Sequence, residues 1–159
     1  SLGLGLIVLE AARAAQSGAS LSEVVATARR AMDRVSVHVY VDTLEYLQKG
    51  GRIGRARSFL GSVLSIKPIL KVEDGEVAPF ERVRTHAKAL ARMYEIASSM
   101  ARAREMFVAY SGNEDEARDM IQQLRPRLPH TDLILGEIGP VVGVYAGPGA
   151  IGIAALERE

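Results

Sequence analysis

Asp74-Gly75, set between two apolar runs, constrains this chain more than any other pair of residues in it. The pair favours the tight two-residue turn of a β-hairpin. Pro68 to Val72 and Val77 to Val83 are therefore read as antiparallel strands, while strands joined through helices can run either way. Val35, Val37, Val39 and Val41 alternate with Ser36, His38 and Tyr40, which predicts a further strand with one face in the core. His38 is placed on the polar face, exposed or at a domain boundary, because no nearby carboxylate pattern orients it as a base. Met106 to Tyr110 and Leu133 to Leu135 read as strands. Val141 to Leu156 reads as two more, bent at Gly147-Pro148-Gly149.

Helical spacing fills the gaps. Leu4, Ile7, Val8, Ala11, Ala12 and Ala15 mark a helix over residues 3 to 16, entered through Gly3 and Gly5 and ended by Gly18. Ser20 and Glu23 form a capping-box pattern, and Leu21, Val24, Val25, Ala28 and Met32 supply the stripe of a second helix. Asp42 or Thr43 caps a short helix from Leu44 to Gln48, stopped by Gly50-Gly51. Phe59, Leu60, Val63 and Leu64 make an apolar helical face that Lys67-Pro68 ends. Thr85 opens a helix with Leu90, Met93, Ala97 and Met100 on one side, and Asn113 with Glu116 caps another that Pro126 closes. The predicted class is α+β, a two-layer sandwich with a mixed or mainly antiparallel sheet and helices on one face.

Composition narrows the function. The chain has 159 residues, 20 basic and 19 acidic, so no global field favours nucleic acid or an anionic surface. Cysteine is absent, which removes disulfides, thiolate metal sites and a cysteine nucleophile and fits a cytoplasmic setting. No signal-peptide pattern opens the chain. The longest uncharged run, Ile138 to Leu156, is broken by Pro140, Pro148 and glycines, so a buried β region is expected there and not a membrane span.

The stretch from Val41 to Leu70 carries the candidate site. Gly50 and Gly51 can take positive φ, letting the backbone turn sharply and leave N–H groups facing one way. Arg52 then offers a planar five-donor fork suited to a carboxylate or phosphate. The corner reads as an anion site beside an apolar floor, with Arg52 pairing to Asp42 or Glu45 as the structural alternative.

The order of motifs is specific. Asp42-Thr43-Leu44-Glu45-Tyr46-Leu47, Gly50-Gly51-Arg52-Ile53, Ile66-Lys67-Pro68-Ile69-Leu70, and Gly139-Pro140-Val141-Val142-Gly143 with Gly147-Pro148-Gly149 together resemble the DegV family, over nearly the whole chain but only the later half of a DegV protein. The resemblance implies a fatty-acid-binding protein, the carrier subunit of a bacterial fatty acid kinase, which presents the acyl carboxylate to a separate kinase subunit and catalyses nothing itself. It implies a ligand-binding set of Thr43, Gly51, Arg52, Ile53, Phe59, Leu60, Ile66 and Tyr145, with Val63 and Leu64 as further lining, and a partner-binding pair, Arg82 and Arg84. Tyr145 stands where many members carry a histidine that hydrogen-bonds the carboxylate; a phenol can donate there but cannot become cationic near neutral pH. Some fifteen buried methylenes at about 0.8 kcal/mol each would supply roughly 12 kcal/mol before ordering costs, so the polar groups need only satisfy and orient the head group.

Residues 1–33 are expected to be a helical hairpin ending a truncated N-terminal domain or linker, and 34–159 the DegV-like C-terminal domain. The missing N-terminal domain would hold the serine and threonine donors to the carboxylate. Leu4 to Ala15 should then expose a large apolar surface or meet a partner chain, as in a homodimer. No cofactor or metal is expected. Two other readings compete: an enzyme domain binding a phosphate or carboxylate through Arg52, Arg55 and Arg57, which lacks a phosphate-loop pattern or a metal-spaced histidine set among His38, His86 and His130; and nucleic-acid binding through Arg52, Arg55, Arg57, Arg82 and Arg84, opposed by near-neutral charge and few aromatics.

Overall fold

A computed structural model describes residues 1–61 and 66–159. Val63 and Leu64, two of the expected lining residues, lie outside them. Six strands, β1 (Val35–Tyr40), β2 (Lys67–Glu73), β3 (Glu76–Val83), β4 (Ala103–Tyr110), β5 (Asp132–Glu137) and β6 (Ile151–Glu157), form one sheet in the order β3-β2-β1-β6-β4-β5. Every neighbouring pair is antiparallel except β4 and β5, so the sheet is mixed, as the hairpin and the helix-linked strands predict. Asp74 and Gly75 both take positive φ, 53° and 76°, the geometry that matches a tight turn to strand twist.

The alternation in β1 separates two cores. Tyr40 joins Ile69, Met106, Val108, Ile151 and Ile153 on one face, covered by α4 (His86–Ser99) and α5 (Glu114–Leu124) through Met93, Ile96, Met120 and Leu124. Val35 and Val37 point to the other face, where Leu6 of α1 (Leu2–Gln16) and Ala31 of α2 (Leu21–Arg34) meet Ala154 and Leu156. Gly3 lies inside α1 because the helix crosses β1 closely: a Cβ there would come 2.6 Å from Val37 Cγ2. Further along the same face, Val39, Val41, Leu44, Leu47, Ile53, Ala56, Leu70 and Ala146 gather beneath α3 (Glu45–Lys49), a 3-10 turn (Gly54–Phe59) and α6 (Pro140–Ala146).

Several local signals are realised as read. The Ser20 side chain accepts from the Glu23 backbone while Glu23 accepts from Ser20 N at 2.7 Å, and Thr85 Oγ1 accepts from Lys88 N at 3.3 Å. Leu4 and Val8 are 60% and 55% exposed, so the outer side of α1 is apolar and open.

Four readings are corrected. Helices cover both faces of the sheet and not one, because the alternation in β1 gives each face its own apolar set, met by α4 and α5 on the Tyr40 side and by α1 and α2 on the Val35 side. Asn113 stands at the N-cap of α5 but its side chain makes no capping bond, and Glu116 turns to His86 instead. Residues 140–146 are helical, not a strand: Pro140 at the first helical position presets φ without costing a hydrogen bond. Val141 and Val144 consequently face solvent at 80% and 61% exposure, so only β6 of the long uncharged run is buried β structure. His38 is half-buried on the Tyr40 face, edge-on to Phe80 with ring centroids 4.8 Å apart, and burial with the nearby Lys71 charge disfavours its protonation.

Candidate functional site

The Gly-Gly-Arg corner is a helix closure. Gly51 adopts φ +67°, and its N–H reaches Gln48 O at 3.1 Å while Arg52 N–H reaches Leu47 O at 2.9 Å. This is the left-handed termination that glycine favours, and it satisfies the last carbonyls of α3. Gly50 N–H is also taken, by Tyr46 O at 2.9 Å. The expected row of free N–H groups is therefore absent: the corner's backbone donors close the helix, and the guanidinium of Arg52 is what remains for an anion. Nor do both glycines need positive φ, since Gly50 is right-handed at φ −78°. Gly50 is constrained by space instead, because a Cβ there would lie 2.5 Å from Tyr145 Cε1. Gly147 makes the reciprocal contact: a Cβ on it would come 2.7 Å from Tyr46 Cε2. Two glycine corners are thus pressed together, each against the other's tyrosine.

Arg52 sits exposed on this junction, its guanidinium carbon 5.6 Å from the centre of the Tyr145 ring. Among the described residues its side chain makes no hydrogen bond or ion pair. The structural alternative fails for a visible reason: Lys67 and the Tyr40 hydroxyl occupy Asp42, and Lys49 pairs with Glu45 at 2.6 Å. Arg55 is different. It pairs with Glu73 at 3.0 Å and lies near Asp74 and Glu76, bound to the β2–β3 hairpin, so Arg55 does not join Arg52 in a phosphate cluster.

The remaining candidates divide. Ile53, Phe59 and Tyr145 share the core beneath the corner, with Ile53 buried and the other two half-buried. Leu60 is exposed and Ile66 half-buried, on either side of residues 62–65. Thr43 Oγ1 accepts from Glu45 N at 3.2 Å in a local turn, but neither it nor Asp42 caps α3, whose N-cap is Leu44 with no side-chain capping bond. Arg82 lies over the Phe59 ring at 5.0 Å, and Arg84 is exposed two residues on.

One constellation escapes sequence reading. Tyr40 is fully buried; its hydroxyl donates to Asp42 Oδ1 at 2.8 Å and meets His86 Nδ1 at 3.0 Å, and His86 Nε2 meets Glu116 Oε1 at 2.7 Å. Burial, and then the bond to Asp42, push the Tyr40 phenol above its ordinary value, while Lys67 and then Tyr40 hold Asp42 below its own. The chain ties the turn before α3 to α4 and α5. Its members come from three elements and a turn, and in the sequence Tyr40 looks like a polar-face residue; no local signal pairs it with His86. Among the described residues no cluster of His, Asp and Glu is arranged to hold a metal, and no helix is long and apolar enough to cross a membrane.

Comparison with known proteins places these features. A family model described as the DegV family matches residues 1–158. A DegV domain-containing protein of Streptomyces coelicolor is 39% identical over 161 residues, covering 99% of this chain and 57% of that protein. Among solved structures, a fatty-acid-binding DegV family protein from Thermus thermophilus superposes with a TM-score of 0.88 at 34% identity, covering 99% of this chain and 58% of its own. DegV of Bacillus subtilis, described as a fatty acid binding protein, gives a TM-score of 0.85 at 32% identity, covering 99% and 57%. The chain spans a little over half the length of these relatives.

Proposed function

Since the chain belongs to the DegV family, we propose that it supplies one wall of a long-chain fatty-acid site, with the acyl carboxylate at Arg52 and the acyl chain running along the apolar surface of Phe59, Leu60 and Ile66. The observation that carries this reading is an arginine with unfilled donors at the rim of a hydrophobic core. A guanidinium fork matches a carboxylate, and a charge-assisted bond of this kind contributes about 1.5–3 kcal/mol. Burial of the acyl chain supplies the rest. The fatty acid named for the Thermus and Bacillus proteins supports the ligand class.

In this reading the protein is a carrier and not an enzyme. It presents the head group to a separate kinase subunit, with Arg82 and Arg84 as the docking charges, and the serine and threonine donors come from a segment corresponding to the part of the relatives' length that this chain does not span. Lipid extraction and mass spectrometry of the purified protein test the ligand class. Long-chain fatty acid at near-stoichiometric amounts is expected. A delipidated protein that takes up none, alone or within a chain of the relatives' full length, overturns the proposal.

A further inference from the structure

We infer that Tyr145 positions Arg52 through the face of its ring, and that the phenol hydroxyl is not what the head group needs. This rests on the fatty-acid reading of the site, and it assigns Tyr145 a different part from the hydrogen-bond donor that its place in the motif suggests.

Three observations converge. The guanidinium lies 5.6 Å from the ring centre and has no other side-chain partner among the described residues. The ring cannot move toward the α3 corner, because it rests on Gly50, where a Cβ would be 2.5 Å from Tyr145 Cε1. Nor can the corner move closer to α6, because Tyr46 rests on Gly147 in the same manner, with Cε2 2.7 Å from where a Cβ would be. The ring is therefore a seated platform. An aromatic face attracts a cation without consuming an N–H donor, whereas a carboxylate at the same place would fill two donors and cancel the charge. A ring thus limits the wandering of a long exposed side chain and leaves its fork and charge free for an incoming anion. Ordering the guanidinium before binding lowers the cost of ordering it on binding.

The hydroxyl and the ring are separable by substitution. The test uses the whole chain and a fluorescent eighteen-carbon polyene fatty acid as probe, with Tyr145→Phe, Tyr145→Leu and Gly50→Ala. Gly50 has an ordinary right-handed φ, so alanine there needs no unusual backbone conformation; its Cβ would press on the ring and come 3.1 Å from Tyr46 O. Tyr145→Phe should keep affinity within about twofold, while Tyr145→Leu and Gly50→Ala each weaken it about three- to fivefold, the upper range of a cation–aromatic contact at an exposed site. A Phe variant as weak as the Leu variant would mean that the hydroxyl is the operative group, and a Leu variant that binds like the parent would mean that the ring does nothing; either result overturns the inference.

A second readout needs no ligand. Ring currents should move the Arg52 side-chain proton resonances upfield in the parent and in Tyr145→Phe and return them to ordinary positions in Tyr145→Leu. If the parent takes up no fatty acid but Arg52 is ring-shifted, the ligand reading fails and the platform stands. If Arg52 is not ring-shifted in the parent, the platform fails whatever binds. Unchanged amide spectra for β6 show that each variant is folded.

Discussion

Arg104 and Arg52 are the same residue in opposite circumstances. Arg104, on β4, gives its fork to Glu10 of α1 and to Glu105, with Nη1 to Glu10 Oε2 at 3.1 Å and Nη2 to Glu105 Oε1 at 3.0 Å. Arg13 bonds both carboxylates, and Arg34 approaches Glu10 at 3.7 Å. Three arginines thus enclose two buried carboxylates and fasten α1 to the sheet. Arg52 carries an equal charge on an exposed corner, over a ring and in no ion pair among the described residues. A guanidinium with its donors filled is part of the framework, while one held by an aromatic face is available. Charge counting alone cannot tell them apart.

The largest effect that would test this contrast is on stability. Arg104→Leu should lower unfolding free energy by about 2 kcal/mol, less than the roughly 3–5 kcal/mol of breaking a fully dry pair, because Arg104 is partly exposed and Arg13 and Arg34 remain on Glu10. Denaturant titration reads it; a change under 0.5 kcal/mol would remove the framework role. Arg52→Gln should do the reverse, leaving stability within about 0.5 kcal/mol while weakening fatty-acid affinity about tenfold, or 1.4 kcal/mol. Equal losses of stability in the two variants would collapse the comparison. Gly51→Ala follows at about 1 kcal/mol of stability: nothing blocks a methyl at Gly51, but φ +67° strains any residue with a Cβ.

The smallest effect is in acid. The bond from Arg104, opposed by burial and aided by Arg13, holds the Glu10 carboxyl below the ordinary glutamate value of 4.5. A carboxyl lowered in the folded state contributes stability above its unfolded value, and that contribution disappears as pH falls through the folded one. Thermal midpoints should therefore drop on acidification below about 4.3, and Glu10→Gln should flatten that limb. An acid limb unchanged by Glu10→Gln would show that this network carries no measurable share of it.

Legibility followed distance along the chain. The Ser20–Glu23 cap, the Thr85 cap and the Asp74-Gly75 turn were readable because their partners lie within three residues of each other. Gly50 and Gly51 looked like equals in the sequence and are not: one is required by backbone conformation, the other by a ring from residue 145. Residues 140–146 misled because valines favour strands, and their exposure shows that propensity yielded to Pro140 and to the glycine hydrogen bonds that close the helix. Tyr40 and His86 met through folding alone, 46 positions apart.

By itself the order of residues determined the mixed sheet, the hairpin, the helix starts at Ser20 and Thr85 and the turn that presents Arg52, because each depends on φ preferences and alternation within a few neighbours. Only the tertiary structure decided which arginines are neutralised and which, Arg52 among them, are left open. That depends on where carboxylates and rings from α1, β4 and α6 arrive in space, and electrostatic partnership is a property of distance through the fold, not of spacing along the chain.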